Sequence, residues 1–195
     1  MLEAVRHCLS NLISFDGRDS RQTFWFYVLA LVILNVAIST LASVPMMAGM
    51  MEGVFRGIGS GIPEEAVTEQ MMAEMGAWIE TTIWISVATG VLMAALVIAA
   101  MVRRIHDSGH SGWWVILPLA AQLASLAITV SLIDEMRDFM TVATNPENLE
   151  AIVARQKRYA LYGLVGWIPL LFILVFGLLK PTEGPNRYGD QPVRT

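Results

Sequence analysis

Residues 81–114 read TTIWISVATGVLMAALVIAAMVRRIHDSGHSGWW, and this stretch decides the fold. Its first part, residues 81–102, contains no Asp, Glu, Lys or Arg over 22 positions. A helix rises about 1.5 Å per residue, so about 20 apolar residues cross a hydrocarbon layer of about 30 Å. The stretch therefore predicts a transmembrane helix, a short polar turn, and a second apolar run that begins at Trp113.

Three further stretches, residues 22–51, 111–133 and 159–179, also lack these four residue types. Together they predict spans at about residues 24–44, 81–102, 113–133 and 160–179, the first ending before Pro45 because proline ends or kinks helices. A hydrophobic fraction of 55% with 15% charged residues favours a bilayer over a soluble core and excludes a disordered chain. We predict an all-α integral membrane protein with four transmembrane helices, one membrane domain over residues 1–195.

Charge and cysteine content exclude several classes of partner and cofactor. A net charge of -4 gives no support to nucleic-acid binding. The single Cys8 can form neither an internal disulfide nor a four-thiolate zinc site. We therefore expect no nucleic acid and no cofactor.

The distribution of basic residues predicts the orientation. The segments before the first span, between the second and third, and after the fourth carry 8 Lys and Arg together, against 5 in the other two. The side richer in basic residues is cytoplasmic by the positive-inside rule, so both termini are predicted inside. The triplet Arg155, Lys157 and Arg158 on the opposite side speaks against this orientation. The first 21 residues lack a cleavable signal pattern, so the first span is expected to remain as an anchor.

The two outer loops, residues 52–80 and 134–158, are predicted to contain short amphipathic helices. Pro63 followed by two glutamates, and Thr144 with Glu147, are helix-start patterns. The first helix either lies on the outer surface or extends the second span, and the second runs into the fourth span. Methionines concentrated around the first loop could bind Cu(I), but no His or Cys accompanies them there, which favours simple apolar packing.

Polar residues concentrate in three segments that the predicted topology brings to the cytoplasmic face. Arginines gather there beside acids, which include Asp19 and Glu183, at a boundary of low dielectric. We predict an ionic lattice that locks the helix ends and leaves one guanidinium for a lipid phosphate or a partner's carboxylate. The candidate residues are Asp16, Arg18, Arg21, Arg103, Arg104, His106, Asp107, Asn186 and Arg187. Turn formation and head-group anchoring explain part of the same pattern.

Metal binding and nucleophilic catalysis have weaker sequence support. His106, Asp107 and His110 are one ligand short of a transition-metal site, and Ser108 with Gly109 between the histidines indicates a turn. No nucleophile elbow or phosphate-binding glycine motif accompanies Ser108 or Ser111. We expect no metal site, no catalytic residue and no enzymatic activity.

The three segments, each against an apolar span, resemble the bacterial inner-membrane family called domain of unknown function family 805. The similar residues begin with Phe15-x-Gly17-Arg18-x-x-Arg21-x-x-Phe24-Trp25 and continue with Arg103-Arg104-x-His106-Asp107-x-Gly109-x-Ser111-Gly112-Trp113-Trp114 and Gly184-x-Asn186-Arg187-Tyr188-Gly189. The resemblance implies a small multi-span protein of the bacterial inner (plasma) membrane without an assigned activity. The long outer loops depart from the family's compact members.

Two functional hypotheses follow. In the first, the protein is not an enzyme, and its cytoplasmic-face cluster stabilises the helix bundle and binds anionic phospholipid or another membrane protein. In the second, the chain is a small transporter or channel subunit, although its spans lack the buried ionisable groups that mark ion pathways. Small residues such as Gly90, Ala94 and Ala95 would also permit a homo-oligomer.

Overall fold

The computed structural model describes residues 1–59, 64–133 and 149–192, and its elements are five α-helices and one 3₁₀ turn. These are α1 (Leu2–Ser10), α2 (Arg21–Gly59), α3 (Glu64–Asp107), the turn Gly112–Val115, α4 (Ile116–Ser131) and α5 (Leu149–Leu178). Four segments are long and apolar enough to cross a membrane: Arg21–Gly53, Trp78–Asp107, Gly112–Ser131 and Val153–Leu178. The predicted all-α membrane protein with four spans is confirmed.

The first membrane helix does not end at Pro45. Helix α2 continues through this proline to Gly59, whereas the sequence predicted an end at Val44. Proline removes one backbone hydrogen bond, but a helix among other helices in lipid tolerates that loss. The apolar run on both sides of Pro45 favours continued helix over unpaired backbone in hydrocarbon.

The outer segments are extensions of the membrane helices in the part of the chain that the structure describes. Helix α3 begins at Glu64, directly after Pro63, and runs without interruption into the second span. Of the two arrangements expected for the first loop, the structure has the extension. Helix α5 likewise begins at Leu149 and continues into the fourth span, while Thr144 and Glu147 lie outside the described residues.

Helix α1, which was not predicted from the sequence, packs against α2 and α3. Ala4 and Cys8 lie one turn apart and are buried, while Leu2 and Leu9 are exposed. This face meets the main hydrophobic core, which lies at the α1 end of the bundle. The core consists of Cys8, Phe24, Tyr27, Ala100, Met101, Ile105 and Phe176.

Two contacts fix the helices around this core. The Tyr27 hydroxyl donates to the Leu96 carbonyl oxygen at 2.9 Å, which joins α2 to α3. The Trp25 ring N–H donates to the Gly177 carbonyl oxygen at 3.2 Å, which joins α2 to α5. A Cβ at Gly177 would come within 2.7 Å of the Trp25 ring, so only glycine permits this approach.

Candidate functional site

Three segments distant in sequence meet at the α1 end of the bundle. The Asp19 amide donates to the Arg103 carbonyl oxygen at 3.2 Å, and the Thr182 amide donates to the Asp107 carbonyl oxygen at 2.8 Å. The segment before α2, the end of α3 and the tail after α5 are therefore joined by backbone hydrogen bonds. Their charged side chains form a cluster that we call the ionic clamp, composed of Arg18, Asp19, Arg103, Arg104 and Asp107.

Arg18 joins the segment before α2 to both other segments. Its guanidinium lies 3.0 Å from an Asp107 carboxylate oxygen and donates to the Thr182 and Gly184 carbonyl oxygens at 2.8 and 2.7 Å. The side chain is completely buried. Gly17, which precedes it, has a φ of 89°, a left-handed conformation that glycine adopts without strain. The tight turn thereby directs Arg18 into the bundle end.

Asp19 and Arg103 form the second half of the clamp. Arg103 Nε donates to Asp19 Oδ2 at 2.9 Å, and its Nη1 donates to the carbonyl oxygens of Asn11 and Ser14 at 2.8 and 2.6 Å. His7 Nε2 lies 3.0 Å from the other Asp19 oxygen. This arginine therefore holds the chain between α1 and α2 against the end of α3.

Arg104 and Asp107 occupy one turn of α3. Arg104 Nη1 donates to Asp107 Oδ2, and its Nη2 donates to the Leu179 carbonyl oxygen just after α5. Asp107 thus accepts from Arg18 on one oxygen and from Arg104 on the other. Charge-assisted hydrogen bonds on both oxygens fix the orientation of this carboxylate.

A glycine turn ends α3 and places the clamp residues. The Gly109 amide donates to His106 O at 3.0 Å, and the His110 amide donates to Ile105 O at 3.2 Å, which is the Schellman pattern. Gly109 has a φ of 78°, and a Cβ there would lie 2.8 Å from Thr182 Cγ2. The tail therefore crosses directly over this turn.

The tail carries its own turn, built around Asn186. The side-chain nitrogen of Asn186 donates to the His106 carbonyl oxygen at 3.0 Å and to Thr182 Oγ1 at 2.8 Å. The side-chain oxygen of Asn186 accepts from the Tyr188 backbone N–H. The Tyr188 ring then stacks on the His106 ring, with centroids 3.7 Å apart and planes 5° from parallel. Asn186 and Tyr188 thus close the tail over the end of α3.

Five of the nine predicted cluster residues lie outside the clamp: His106 and Asn186 pack beside it, and the other three form its edge. Asp16, Arg21 and Arg187 are exposed at its edge, and none makes an ion pair in the described part of the chain. The Arg187 guanidinium lies 4.7 Å from the centroid of the Tyr188 ring, a cation–π contact. The predicted lattice thus divides into a buried clamp and an exposed rim.

The histidine-bearing turn is occupied by structural contacts. His106 stacks on Tyr188, Asp107 accepts from two arginines, and His110 lies 3.1 Å from Ser108 Oγ. Among residues 1–59, 64–133 and 149–192, no group of three His, Cys, Asp or Glu side chains is arranged to hold a metal ion. These contacts hold the side chains of the turn in fixed positions.

From the sequence, Asp19 was predicted only as one of several acids near the arginines, and no role was predicted for Cys8 or Thr182. The Cys8 side chain is 1% exposed, and its Sγ lies 4.0 Å from Asp19 Oδ2. Burial, and secondarily the Asp19 charge, raises the pKa of this thiol to about 11. An apolar i, i+4 pair at Ala4 and Cys8 was the available signal for helix α1.

The comparisons with known proteins agree with the resemblance in the sequence. The family model described as "Protein of unknown function (DUF805)" matches residues 12–190, which include all three segments of the clamp. No curated protein and no solved structure matches the chain. Because the match covers most of its length, the chain belongs to the DUF805 family, as a multi-span membrane protein without an assigned activity.

Proposed function

We propose that the protein is a non-enzymatic component of the bacterial inner membrane whose ionic clamp stabilises the bundle and binds anionic phospholipid. One observation carries this proposal: the clamp buries three guanidiniums but only two carboxylates. Each of the five residues is at most 8% exposed. The clamp therefore holds a net positive charge at the end of the spans, where lipid head groups lie.

The excess charge has unused hydrogen-bond donors. Arg103 Nη2 and Arg104 Nε are buried without a hydrogen-bond partner among the described residues. A buried cation without a full set of partners costs free energy, and a nearby anion offsets that cost. The cytoplasmic leaflet supplies such anions as phosphate head groups and attracts basic groups near its surface.

The exposed rim gives the phosphate a place to approach. Arg21 is exposed at the start of α2. Its positive charge lies close enough to the Arg104 guanidinium to repel it. Arg187 is exposed on the tail above Tyr188. We assign these two rim arginines as the direct contacts for a head group, with the clamp supplying the supporting field.

The same contacts support the absence of catalysis and of ion transport. Ser108 Oγ lies 3.1 Å from His110 Nδ1 at the clamp end, but this hydroxyl donates to the Ile105 carbonyl oxygen at 2.8 Å and so does not offer its proton to the imidazole. In the described spans, ionisable side chains lie at the helix ends and none lies near the middle. Ion pathways usually require such groups within the membrane.

Native mass spectrometry tests the lipid proposal directly. The wild-type protein in mixed micelles should retain phosphatidylglycerol in preference to phosphatidylcholine. The double variant Arg21→Gln with Arg187→Gln should lose that preference, while Arg6→Gln, which removes an exposed arginine of α1, should keep it. Equal retention of both lipids by the wild type, or an unchanged preference in the double variant, would refute the proposal.

The side of the membrane needs a separate experiment. In a Cys8→Ser background, single cysteines at positions 60, 110, 144 and 195 can be labelled in intact cells with an impermeant reagent. Position 110 is chosen because His110 is exposed, whereas Ser108 is buried. We expect labelling at 60 and 144 only. Labelling at 110 and 195 instead would place the clamp outside.

A further inference from the structure

The four membrane helices border a cavity whose lining includes no residue of the ionic clamp. Its volume is about 370 Å³, and its walls come from α2, α3, α4 and α5. The lining is largely apolar, and three of its residues, Val32, Asn35 and Leu170, are exposed on the outer surface of the bundle. The cavity therefore opens sideways into the lipid layer.

Two glycines in the wall bring α3 and α5 close to α4. At Gly90 on α3, a Cβ would lie 3.0 Å from Leu126 Cδ2 and 3.3 Å from Gln122 Nε2, both on α4. At Gly166 on α5, a Cβ would lie 3.3 Å from Ser125 Oγ of α4. The helices therefore approach closely at these glycines, which form part of the cavity wall.

Two carboxamides line the otherwise apolar wall. Asn35 of α2 and Gln122 of α4 both border the cavity. Neither side chain makes a hydrogen bond within the described residues, in contrast to Asn11 and Asn186. An amide without a partner in hydrocarbon costs free energy, and no water is present there to supply one.

The depth of these amides decides the class of ligand. Asn35 lies 11 residues after Phe24, where the predicted span begins, which is about 16 Å along α2 at 1.5 Å per residue. This distance places it near the middle of a hydrocarbon layer of about 30 Å. A phospholipid's ester and phosphate oxygens lie at the interface and do not reach that depth. An uncharged molecule that dissolves wholly in the hydrocarbon does.

We propose that the cavity binds a lipid-soluble quinone, whose ring carbonyl oxygens accept hydrogen bonds from Asn35 and Gln122 and whose prenyl tail leaves through the lateral opening. A planar ring without charge fits an apolar wall with two amide donors. The volume is within the range of small-molecule pockets, which runs from about 300 to 1,000 Å³. The proposal concerns binding alone and does not depend on the lipid proposal for the clamp.

Titration of the whole protein in phosphatidylcholine nanodiscs with decylubiquinone tests this inference. Binding should saturate at one molecule per chain, and decylbenzene, which lacks the carbonyls, should bind at least tenfold more weakly. Asn35→Leu and Gln122→Leu should each weaken decylubiquinone about tenfold, the loss expected for one hydrogen bond. Thr129→Val is the matched control, because Thr129 lies on α4 outside the cavity and bonds to the Ser125 carbonyl oxygen.

The leucine variants remain folded by design, because leucine is favourable in lipid and adds no charge. Their thermal unfolding should therefore match the wild type, which separates lost binding from lost structure. Absence of saturable binding to the wild type would overturn the proposal, as would a wild-type affinity for decylubiquinone in both leucine variants. A wild-type dimer that Asn35→Leu converts to a monomer, with no effect of decylubiquinone, would assign Asn35 to a second copy of the chain and also overturn it.

Discussion

Arg18 and Asp107 lie 89 positions apart in the sequence, and a fully buried ion pair joins them with 3.0 Å between nitrogen and oxygen. The pair links the segment before the first membrane helix to the end of the second. Arg18 also donates to two carbonyl oxygens of the tail, so a single side chain connects three parts of the chain. This geometry makes the clamp end the part of the fold most sensitive to substitution.

Asp107→Asn should destabilise the protein more than any substitution on the rim. The variant keeps the shape of the side chain but leaves the Arg18 and Arg104 guanidiniums without their shared carboxylate. Removal of one partner from a buried ion pair costs about 3–5 kcal/mol. The measurement is unfolding in detergent, followed by tryptophan fluorescence. Asp16→Asn is the control because Asp16 is exposed, and an equal loss in both variants would contradict a special role for the clamp.

Arg18→Lys should release the tail even though the charge is kept. Lysine has a point charge and cannot reproduce the planar fork that reaches the Asp107 carboxylate together with the Thr182 and Gly184 carbonyl oxygens. Trypsin should then cleave after Arg187 at least several times faster than in the wild type. Arg21→Lys changes an exposed rim residue and should leave the cleavage rate unchanged. Similar rates for the wild type and Arg18→Lys would disprove the tail contact.

Much of the fold could be predicted from sequence because membrane spans are set by length and the absence of charge, properties that local sequence contains. The end of α3 was also readable, since Ser108-Gly109 indicates a turn and the structure has a Schellman motif there. The continuation of α2 past Pro45 could not be predicted from the local sequence. It depends on the surrounding helices and lipid, which disfavour unpaired backbone groups.

The sequence predicted which kinds of residue gather at the clamp but not which of them pair. The sequence placed arginines and acids in three segments, yet which of Arg18 and Arg21 is buried depends on the Gly17 turn and the direction of α2. Asp19 gained its role from Arg103, a residue 84 positions away. Pairings over such separations are decided by packing, which no local pattern contains.

Gly109→Ala should destabilise the protein through two separable effects. A positive φ costs a non-glycine residue about 1–2 kcal/mol, and the new Cβ would lie 2.8 Å from Thr182 Cγ2. Thr182→Ser removes that methyl group while it retains Oγ1, so it should recover part of the loss but not the φ strain. The free energies of unfolding of the two single variants and the double variant measure both terms. Strict additivity would show that the methyl contact contributes nothing.

Gly163→Ala provides the matched comparison for this prediction. Gly163 lies within α5 with open space around its Cβ position and an ordinary helical φ. Alanine is favoured over glycine in a helix by about 1 kcal/mol, so this variant should be as stable as the wild type or more so. A loss as large as that of Gly109→Ala would mean that glycine replacement is harmful for reasons unrelated to the turn.

Cys8 should report on the clamp through the pH dependence of its alkylation. In the folded protein burial raises the pKa of the thiol to about 11, above the ordinary value of 9.0. The reagent can reach the thiol in the folded helix or after the helix opens, and by either route the labelling rate should rise about tenfold per pH unit until about pH 11. In the unfolded chain, the labelling rate should level off near pH 9. Because this pKa is raised, the contribution of the Cys8 thiol to the free energy of unfolding is fully present below pH 9 and is lost as the pH rises toward 11. Iodoacetamide labelling followed by mass spectrometry measures the rate, and a plateau near pH 9 in folded protein would show that the Cys8 thiol is not buried beside Asp19.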